Sequence, residues 1–143
     1  MKRSQFIKSS CTACAMLALP GITAMVLESC ASLPSAKVKP DLATKQCKVP
    51  IDKFGKSNML LLRINTYNFD FLVIKNTETE YKTLELRCSH EDQPLTMSNK
   101  NIFCTSHGSI FDFEGNALKE PAIRPLKKYK TKLSNNFLII NLT

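Results

Sequence analysis

Several residue types are scarce in this chain of 143 residues, and each scarcity excludes a class of protein. Tryptophan is absent and glycine occurs only four times, which excludes collagen-like and other glycine-rich fibrous proteins. Hydrophobic residues make up 43% of the chain, which is ordinary for a globular protein and excludes a disordered one. The length suits one compact domain with a short appendage. Histidine occurs only twice, so any site that needs more imidazoles is excluded.

Positive charge is in excess, with a formal net charge of +8. The lysines are scattered except in the segment LKKYKTK at 126–132, where they partly alternate with other residues. This alternation is typical of a strand with one solvated face. We therefore expect no nucleic-acid partner. If the segment is a docking patch instead, an acidic protein or an anionic membrane surface fits it better than DNA.

Residues 1–29 have the features of a secretory signal. Lys2, Arg3 and Lys8 form a positive start, and the nineteen residues from 9 to 27 are uncharged and mostly apolar. This arrangement is typical of a signal peptide. An uncleaved membrane anchor is the alternative, although Pro20 and Gly21 interrupt an apolar run that is barely long enough to span a bilayer.

Two short motifs refine the prediction of a signal. The segment LESC resembles a bacterial lipobox, which predicts a lipidated Cys30 as the mature N-terminus, and the start KRSQFIK resembles a twin-arginine signal with Ser4 in place of one arginine. Residues 30–45 lack apolar periodicity, which predicts a flexible tether. We therefore expect a bacterial lipoprotein in the cell envelope, periplasmic or facing outward, with a lipid anchor in the membrane.

The remaining residues, 46–143, are predicted to form one all-β domain, an antiparallel sandwich or small barrel. Seven short segments are rich in β-branched, aromatic and leucine residues. These predicted strands are 47–51, 58–64, 69–75, 80–87, 100–104, 128–134 and 136–142. Asn135 and Asn136 lie between the last two and favour a tight hairpin. The stretch 88–125 breaks this rhythm and is predicted to be a small loop subdomain that carries the site.

Both histidines lie in this loop stretch, and each has a cysteine close by. The pairs are Cys88 with His90, and Cys104 with His107. Two Cys–His pairs in one small domain predict a metal site. Zinc can bind two Cys and two His, but zinc motifs usually pair like with like. An iron-sulfur cluster with two Cys on one iron and two His on the other needs mixed pairs, so a [2Fe-2S] cluster is favoured and zinc is the alternative.

The two residues that follow the second pair, Gly108 and Ser109, also suit a cluster. Gly108 permits close approach of the backbone, and the hydroxyl of Ser109 can donate a hydrogen bond to a cluster sulfur. The strings CSHEDQPL and CTSHGSIFDFEGN resemble the two cluster-binding boxes of Rieske iron-sulfur proteins, and EPAIRPLKKYK resembles their proline-containing loop. The resemblance covers most of 46–143 and implies a Rieske-like sandwich with a cluster-binding subdomain.

The resemblance also implies roles for individual residues. Cys88 and Cys104 would ligate the inner iron, His90 and His107 the outer one, and Ser109 would raise the reduction potential. High-potential members carry one more cysteine in each box and join the two by a disulfide, and Gln93 and Ser106 stand at those positions here. Phe111 stands where those members often have tyrosine. The reduction potential is therefore expected between the extremes of the Rieske range.

The resulting functional hypothesis is one-electron transfer outside the cytoplasm, without a catalytic residue. The expected partners are redox proteins: a cytochrome, a quinol-oxidising complex or a periplasmic oxidoreductase. A membrane-tethered carrier is favoured, and the iron-sulfur subunit of a quinol-oxidising bc-type complex is an alternative. A structural zinc module is the alternative from another class. An oxygenase would need a second, mononuclear iron site, for which the chain has no further histidine.

Overall fold

The fold is taken from a computed structural model, which describes residues 32–143. Twelve strands and one short 3₁₀ helix succeed one another in these residues. The strands are β1 Ser35–Val38, β2 Gln46–Pro50, β3 Met59–Ile64, β4 Phe71–Lys75, β5 Tyr81–Glu85, β6 Thr96–Met97, β7 Ile102–Phe103, β8 Ile110–Phe111, β9 Ala117–Lys119, β10 Lys128–Tyr129, β11 Thr131–Ser134 and β12 Phe137–Asn141, and the 3₁₀ helix is Ile51–Phe54. The predicted all-β class is confirmed.

The strands form three sheets that lie in layers. The central sheet has the order β1-β3-β4-β5-β10, a second sheet has the order β11-β12-β2, and the third, β6-β7-β8-β9, holds the short strands. Four of the five residues of β4 are buried, although the side chains of a strand alternate between the two faces of its sheet. Both faces of the central sheet are therefore covered. Phe71 and Val73 pack into one core, whereas Leu72 and Ile74 pack into another.

Each outer sheet covers one of these cores. Cys47, Val49, Leu138 and Ile140 of the β11-β12-β2 sheet share a core with Phe71. The other core contains the two remaining cysteines of the domain together with Ile102 and Phe111 of the third sheet. The β11-β12-β2 sheet and the cysteine-bearing subdomain therefore lie on opposite faces of the central sheet.

The strands expected from the sequence are present with small shifts of their ends. All seven predicted segments overlap an observed strand, and 128–134 contains two. Asn135 has φ 44, the left-handed conformation expected of a residue in the β11–β12 hairpin. The stretch 88–125 is a subdomain as predicted, but it contains three short strands that the sequence did not indicate, β6, β8 and β9.

The prediction of a flexible tether over 30–45 is wrong for Ser35–Val38. These residues form β1, which pairs with β3 in the only parallel pairing among the described strands. Ala36 of β1 is buried in the core shared with the β11-β12-β2 sheet. The sequence SAKV indicates this strand only weakly, because its polar–apolar alternation is four residues long and depends on Ala36 and Val38, and alanine is uncommon in strands.

The described domain accordingly begins near Ser32 and not at residue 46. The predicted signal peptide, residues 1–29, and the predicted lipidation site, Cys30, lie outside the described residues. Within residues 32–143 there is no helix that is long and apolar enough to cross a membrane.

Candidate metal centre

The first Cys–His pair lies in a narrow loop that closely follows β5. Arg87 and Pro94 form an isolated antiparallel bridge at the base of this loop. Inside that bridge the backbone N–H of Cys88 donates to the carbonyl of Gln93 over 2.9 Å. The loop is therefore pinned at both ends, and it presents His90 at its exposed tip.

The second pair lies in a tight turn between β7 and β8. The backbone N–H of Cys104 donates to the carbonyl of Ser109, and that of Gly108 donates to the carbonyl of Cys104, both over 2.9 Å. Gly108 has φ +79, a conformation that side-chain-bearing residues rarely adopt. Among residues 32–143, apart from its two chain neighbours, nothing lies within 4 Å of a Cβ built at this position. The turn itself therefore requires glycine, and the space beside it stays open.

The two loops bring the four predicted ligands to one end of the subdomain, where two of them are buried and two are exposed. The side chains of Cys88 and Cys104 are each only 1% exposed and belong to the same core. His90 and His107 are exposed, with ring centroids 5.1 Å apart and planes at 88°. The thiols therefore lie inside the domain and the imidazoles at its surface.

The spacing of the side chains argues against a single zinc ion. Four ligands around one tetrahedral zinc would place their donor atoms about 3.3–3.8 Å from one another. Among residues 32–143, the only group of three potential ligands whose donor atoms lie within 4.8 Å of one another is His90, Glu91 and His107. Neither cysteine joins the histidines at that range, as expected if thiols and imidazoles serve two different metal ions.

The proline-containing loop, 120–125, covers both Cys–His loops. The backbone N–H of Ala122 donates to the hydroxyl oxygen of Ser109 over 3.0 Å. On the first loop, the hydroxyl of Ser89 donates to the carbonyl of Arg124 over 2.6 Å, and the guanidinium of Arg124 donates to the carbonyl of Ser89 over 3.0 Å. The three loops thus form one hydrogen-bonded unit.

Ser109 is fully buried, and its hydrogen bond to Ala122 uses only the oxygen as acceptor. The hydroxyl hydrogen finds no acceptor among residues 32–143, so it is free to donate to a bound group. Phe111 is also fully buried and contributes no hydroxyl. The described cysteines form no disulfide, and Gln93 and Ser106 occupy the two positions where high-potential members have their extra cysteines.

A buried polar network approaches the first loop from the other core. The hydroxyl of Tyr129 donates to Oε2 of Glu85 over 2.8 Å, and both side chains are buried. Nε of Arg87 lies 3.8 Å from Oε1 of Glu85 and 3.5 Å from Oδ1 of Asp92. Burial raises the pKa of Tyr129, and the hydrogen bond to Glu85 raises it further. Arg87 therefore joins a buried carboxylate to the loop that presents His90.

Comparison with protein families identifies the domain. The model of the Rieske [2Fe-2S] domain matches residues 45–130, which is more than half of the chain. The chain belongs to the Rieske [2Fe-2S] domain family. The resemblance and the cofactor predicted from the two Cys–His pairs are thereby confirmed, and the Rieske domain transfers electrons through a [2Fe-2S] cluster.

Solved structures of Rieske proteins are similar to this chain. The plasma-membrane Rieske protein PetC3 of the cyanobacterium Synechocystis PCC 6803 is 25% identical, over 68% of this chain and 87% of that one, with a TM-score of 0.46. The ferredoxin of carbazole 1,9a-dioxygenase from Nocardioides aromaticivorans IC177 is 16% identical, over 66% of this chain and 94% of that one, with a TM-score of 0.49. No curated protein matches the chain.

A third similar structure is NdmA of Pseudomonas putida CBB5, solved with caffeine, which is 22% identical with a TM-score of 0.36. The match covers 53% of this chain but only 25% of NdmA.

Three site residues were missed by the sequence reasoning. Oε2 of Glu91 lies 3.8 Å from Nε2 of His107. The sequence feature that could have indicated Glu91 was its position directly after His90. Ala122 and Arg124 contact the two Cys–His loops only because the chain returns after β9. The resemblance of EPAIRPLKKYK to a proline-containing loop was the available signal, but it did not single out these two residues.

Proposed function

We propose that Cys88, Cys104, His90 and His107 hold the Rieske [2Fe-2S] cluster, the thiolates on one iron and the imidazoles on the other. The supporting observation is the separation of two buried thiols from two exposed imidazoles at one end of the subdomain. The hydroxyl of Ser109, the open space beside Gly108 and the pinned loops also suit such a group. When bound, the cluster supplies a couple that accepts and releases one electron.

Single substitutions test this ligand set. Cys88→Ser, Cys104→Ser, His90→Ala and His107→Ala should each abolish the visible absorption and the electron paramagnetic resonance signal of the reduced protein. Cys47→Ser is the matched control, because Cys47 is buried in the other core and should leave both signals intact. Full iron content in any of the four variants would remove that residue from the set. A colourless wild type containing one zinc would contradict the assignment altogether.

The exposed imidazoles support the role of an electron carrier. Side-chain exposure of His107 is 38%, so a partner protein can approach the outer ligands directly. The two loops hold both histidines at the surface, and the surrounding core keeps water away from the thiolates. The expected partners are a cytochrome, a quinol-oxidising complex or a periplasmic oxidoreductase. Photoreduced protein mixed with an oxidised c-type cytochrome should transfer one electron per chain, and absence of transfer to any cytochrome tested would count against the carrier role.

The free hydroxyl of Ser109 favours one second candidate, the iron-sulfur subunit of a quinol-oxidising bc-type complex. A hydrogen bond to the cluster would raise the reduction potential towards the range in which a quinol can be oxidised. Purification from membranes under mild detergent distinguishes the two roles. A subunit should co-purify with a cytochrome b, whereas a carrier should elute alone.

The proposed location is the outer side of a bacterial cytoplasmic membrane or the periplasm, with lipid attached to Cys30. The signal-like residues 1–29 support it, and β1 shortens the tether that begins after Cys30. Leu33 and Pro34 already belong to the fold, because Leu33 packs against the core that holds Cys88 and Cys104 and the carbonyl of Pro34 accepts a hydrogen bond from the backbone N–H of Leu61. Only Ala31 and Ser32 separate Cys30 from Leu33, which would place the anchor within about 11 Å of Leu33. Mass spectrometry of the membrane-extracted protein should show a diacylated Cys30 as first residue. Cys30→Ser should abolish the modification, and an intact residue 1–29 would indicate a retained anchor instead.

A further inference from the structure

The two Cys–His loops are not joined to each other directly. Among residues 32–143, no disulfide is formed, and no hydrogen bond connects the loop 88–94 with the turn 104–109. Oε2 of Glu91 and Nε2 of His107 approach each other to 3.8 Å, which exceeds the length of a hydrogen bond. The position of one loop relative to the other therefore depends on a third segment that contacts both.

The proline-containing loop bridges them within three consecutive residues. The backbone N–H of Ala122 donates to the hydroxyl oxygen of Ser109 in the turn. Arg124 makes two hydrogen bonds with Ser89 in the loop, because its guanidinium donates to the carbonyl of Ser89 and its own carbonyl accepts from the hydroxyl. Only Ile123 lies between the two attachment points, so their Cα atoms are at most about 7 Å apart. Such a short bridge leaves the two loops little freedom to move against each other.

This bridge is stiff and is held at its base. Pro121 and Pro125 flank the three bridging residues, and each proline ring fixes its own φ and restricts the residue before it. Beyond Pro125, Leu126 is only 3% exposed, and its backbone N–H donates to the carbonyl of Gly115 over 2.8 Å. The bridge therefore resists following a loop that moves, and a hydrogen bond to it restrains the loop that makes it.

The two ends of the bridge differ in what holds them. Ala122 is buried in the core that contains both site cysteines, so packing fixes that end in addition to its hydrogen bond. At the other end Arg124 is exposed, and its hydrogen bonds with Ser89 are what attaches it to the loop. Among the arginines of residues 32–143, Arg63 and Arg87 form ion pairs with carboxylates, whereas Arg124 forms none. The guanidinium of Arg124 is thus committed to Ser89.

Ser89 directly precedes His90, and its carbonyl belongs to the peptide group that joins the two residues. Since a peptide group is planar, a guanidinium that holds this carbonyl also fixes the backbone from which the imidazole extends. We propose that Arg124 is a positioning residue for His90, which it holds at its iron by latching Ser89 to the proline-containing loop. The proposal rests on the proposed ligand set, in which His90 is a ligand.

Release of the cluster from the holoprotein tests this latch. In excess EDTA, the visible absorption of Arg124→Ala should bleach about tenfold faster than that of the wild type, because one hydrogen bond from a charged group no longer restrains a ligand. The electron paramagnetic resonance signal of the reduced variant should also broaden, since a less fixed imidazole samples several geometries. Arg124→Lys should recover part of both effects, because an ammonium group can still donate to the carbonyl of Ser89.

Two neighbouring residues serve as matched controls. Ile123 is 80% exposed between the attachment points, and Lys119 is an exposed cation of the same subdomain. Within the part of the chain that the structure describes, neither side chain is hydrogen-bonded to a Cys–His loop. Ile123→Ala and Lys119→Gln should therefore bleach at the wild-type rate. Equally fast bleaching of Ile123→Ala and Arg124→Ala would show that general packing of the loop holds the site, and a matching effect of Lys119→Gln would show that net charge does.

The result that overturns the proposal is bleaching of Arg124→Ala at the wild-type rate with an unchanged line width. Failure of Arg124→Lys to recover either effect would also count against it, since donation to Ser89 would then not be the contribution of the side chain. The ligand set is tested separately by the iron content of His90→Ala. If this variant keeps its iron, the ligand set is wrong whatever Arg124→Ala does. If it loses iron while Arg124→Ala behaves as the wild type, only the latch is wrong.

Discussion

The backbone N–H of Ala122 donates to the hydroxyl oxygen of Ser109 over 3.0 Å. This bond fixes the oxygen of a fully buried hydroxyl and leaves its hydrogen for a further acceptor. It also joins the proline-containing loop to the turn that carries Cys104 and His107. One side chain thus holds two loops together and is positioned to tune the site between them.

Removal of the Ser109 hydroxyl should lower the reduction potential. In Ser109→Ala we expect a fall on the order of 50 mV, because one hydrogen bond strengthened by reduction contributes about 1.4 kcal/mol, equivalent to about 59 mV for one electron. A redox titration followed by circular dichroism measures it. Ser89→Ala is the control, since its hydroxyl donates to the carbonyl of Arg124 and also contacts the proline-containing loop. Equal shifts in both variants would mean that loop packing, not the hydroxyl, sets the potential.

The absolute potential should lie inside the Rieske range and away from both ends. That range is roughly −150 to +300 mV. Ser109 supplies one hydrogen bond that raises the potential, whereas Phe111 supplies no second hydroxyl. Titration of the wild type at neutral pH checks this expectation. A midpoint at either limit would show that these two residues do not dominate the potential.

Loss of the Tyr129 hydroxyl should destabilise the domain. Tyr129→Phe keeps the edge-to-face contact with Phe71, whose ring centroid is 5.2 Å away, but it leaves Oε2 of buried Glu85 without its donor. We expect the free energy of unfolding to fall by about 1–3 kcal/mol, the cost of a buried polar group without a partner. Urea unfolding measures it. The double variant with Glu85→Gln tests the pairing, because strictly additive losses would show that the two groups act independently.

The buried thiol of Cys47 should make stability depend on alkaline pH. Burial raises the pKa of Cys47 from 9.0 to about 11. A raised pKa means that the folded state keeps the proton longer, so this contribution is complete below pH 9 and is lost as the pH rises through 11. The free energy of unfolding should fall by up to about 1.4 kcal/mol per pH unit in this window. Cys47→Ala should show a shallower slope than the wild type, and identical slopes would disprove the assignment.

The sequence alone predicted much of this fold because its strands are local features. Segments such as FLVIK, at Phe71–Lys75, are apolar enough to indicate a strand wherever they pack. The hairpin at Asn135 could be predicted for the same reason, since asparagine itself tolerates the left-handed conformation found there. Strand β1 was missed because the alternation of Ala36 and Val38 with polar residues is only four residues long, and the backbone pairing with β3 that orders the segment is visible only in the fold.

For the site, the sequence by itself determined the chemistry. Two histidines, each within three residues of a cysteine, limited the cofactor to zinc or a mixed-ligand cluster. Only the tertiary structure decided which atoms surround them, because the contacts of Ala122 with Ser109 and of Arg124 with Ser89 join residues distant along the chain. The outward side of the β11-β12-β2 sheet was likewise decided by pairing, since Lys48 and Lys132 become neighbours of Ile139 only when β2, β11 and β12 align. Ligand identity is a property of residue types, whereas environment depends on long-range packing.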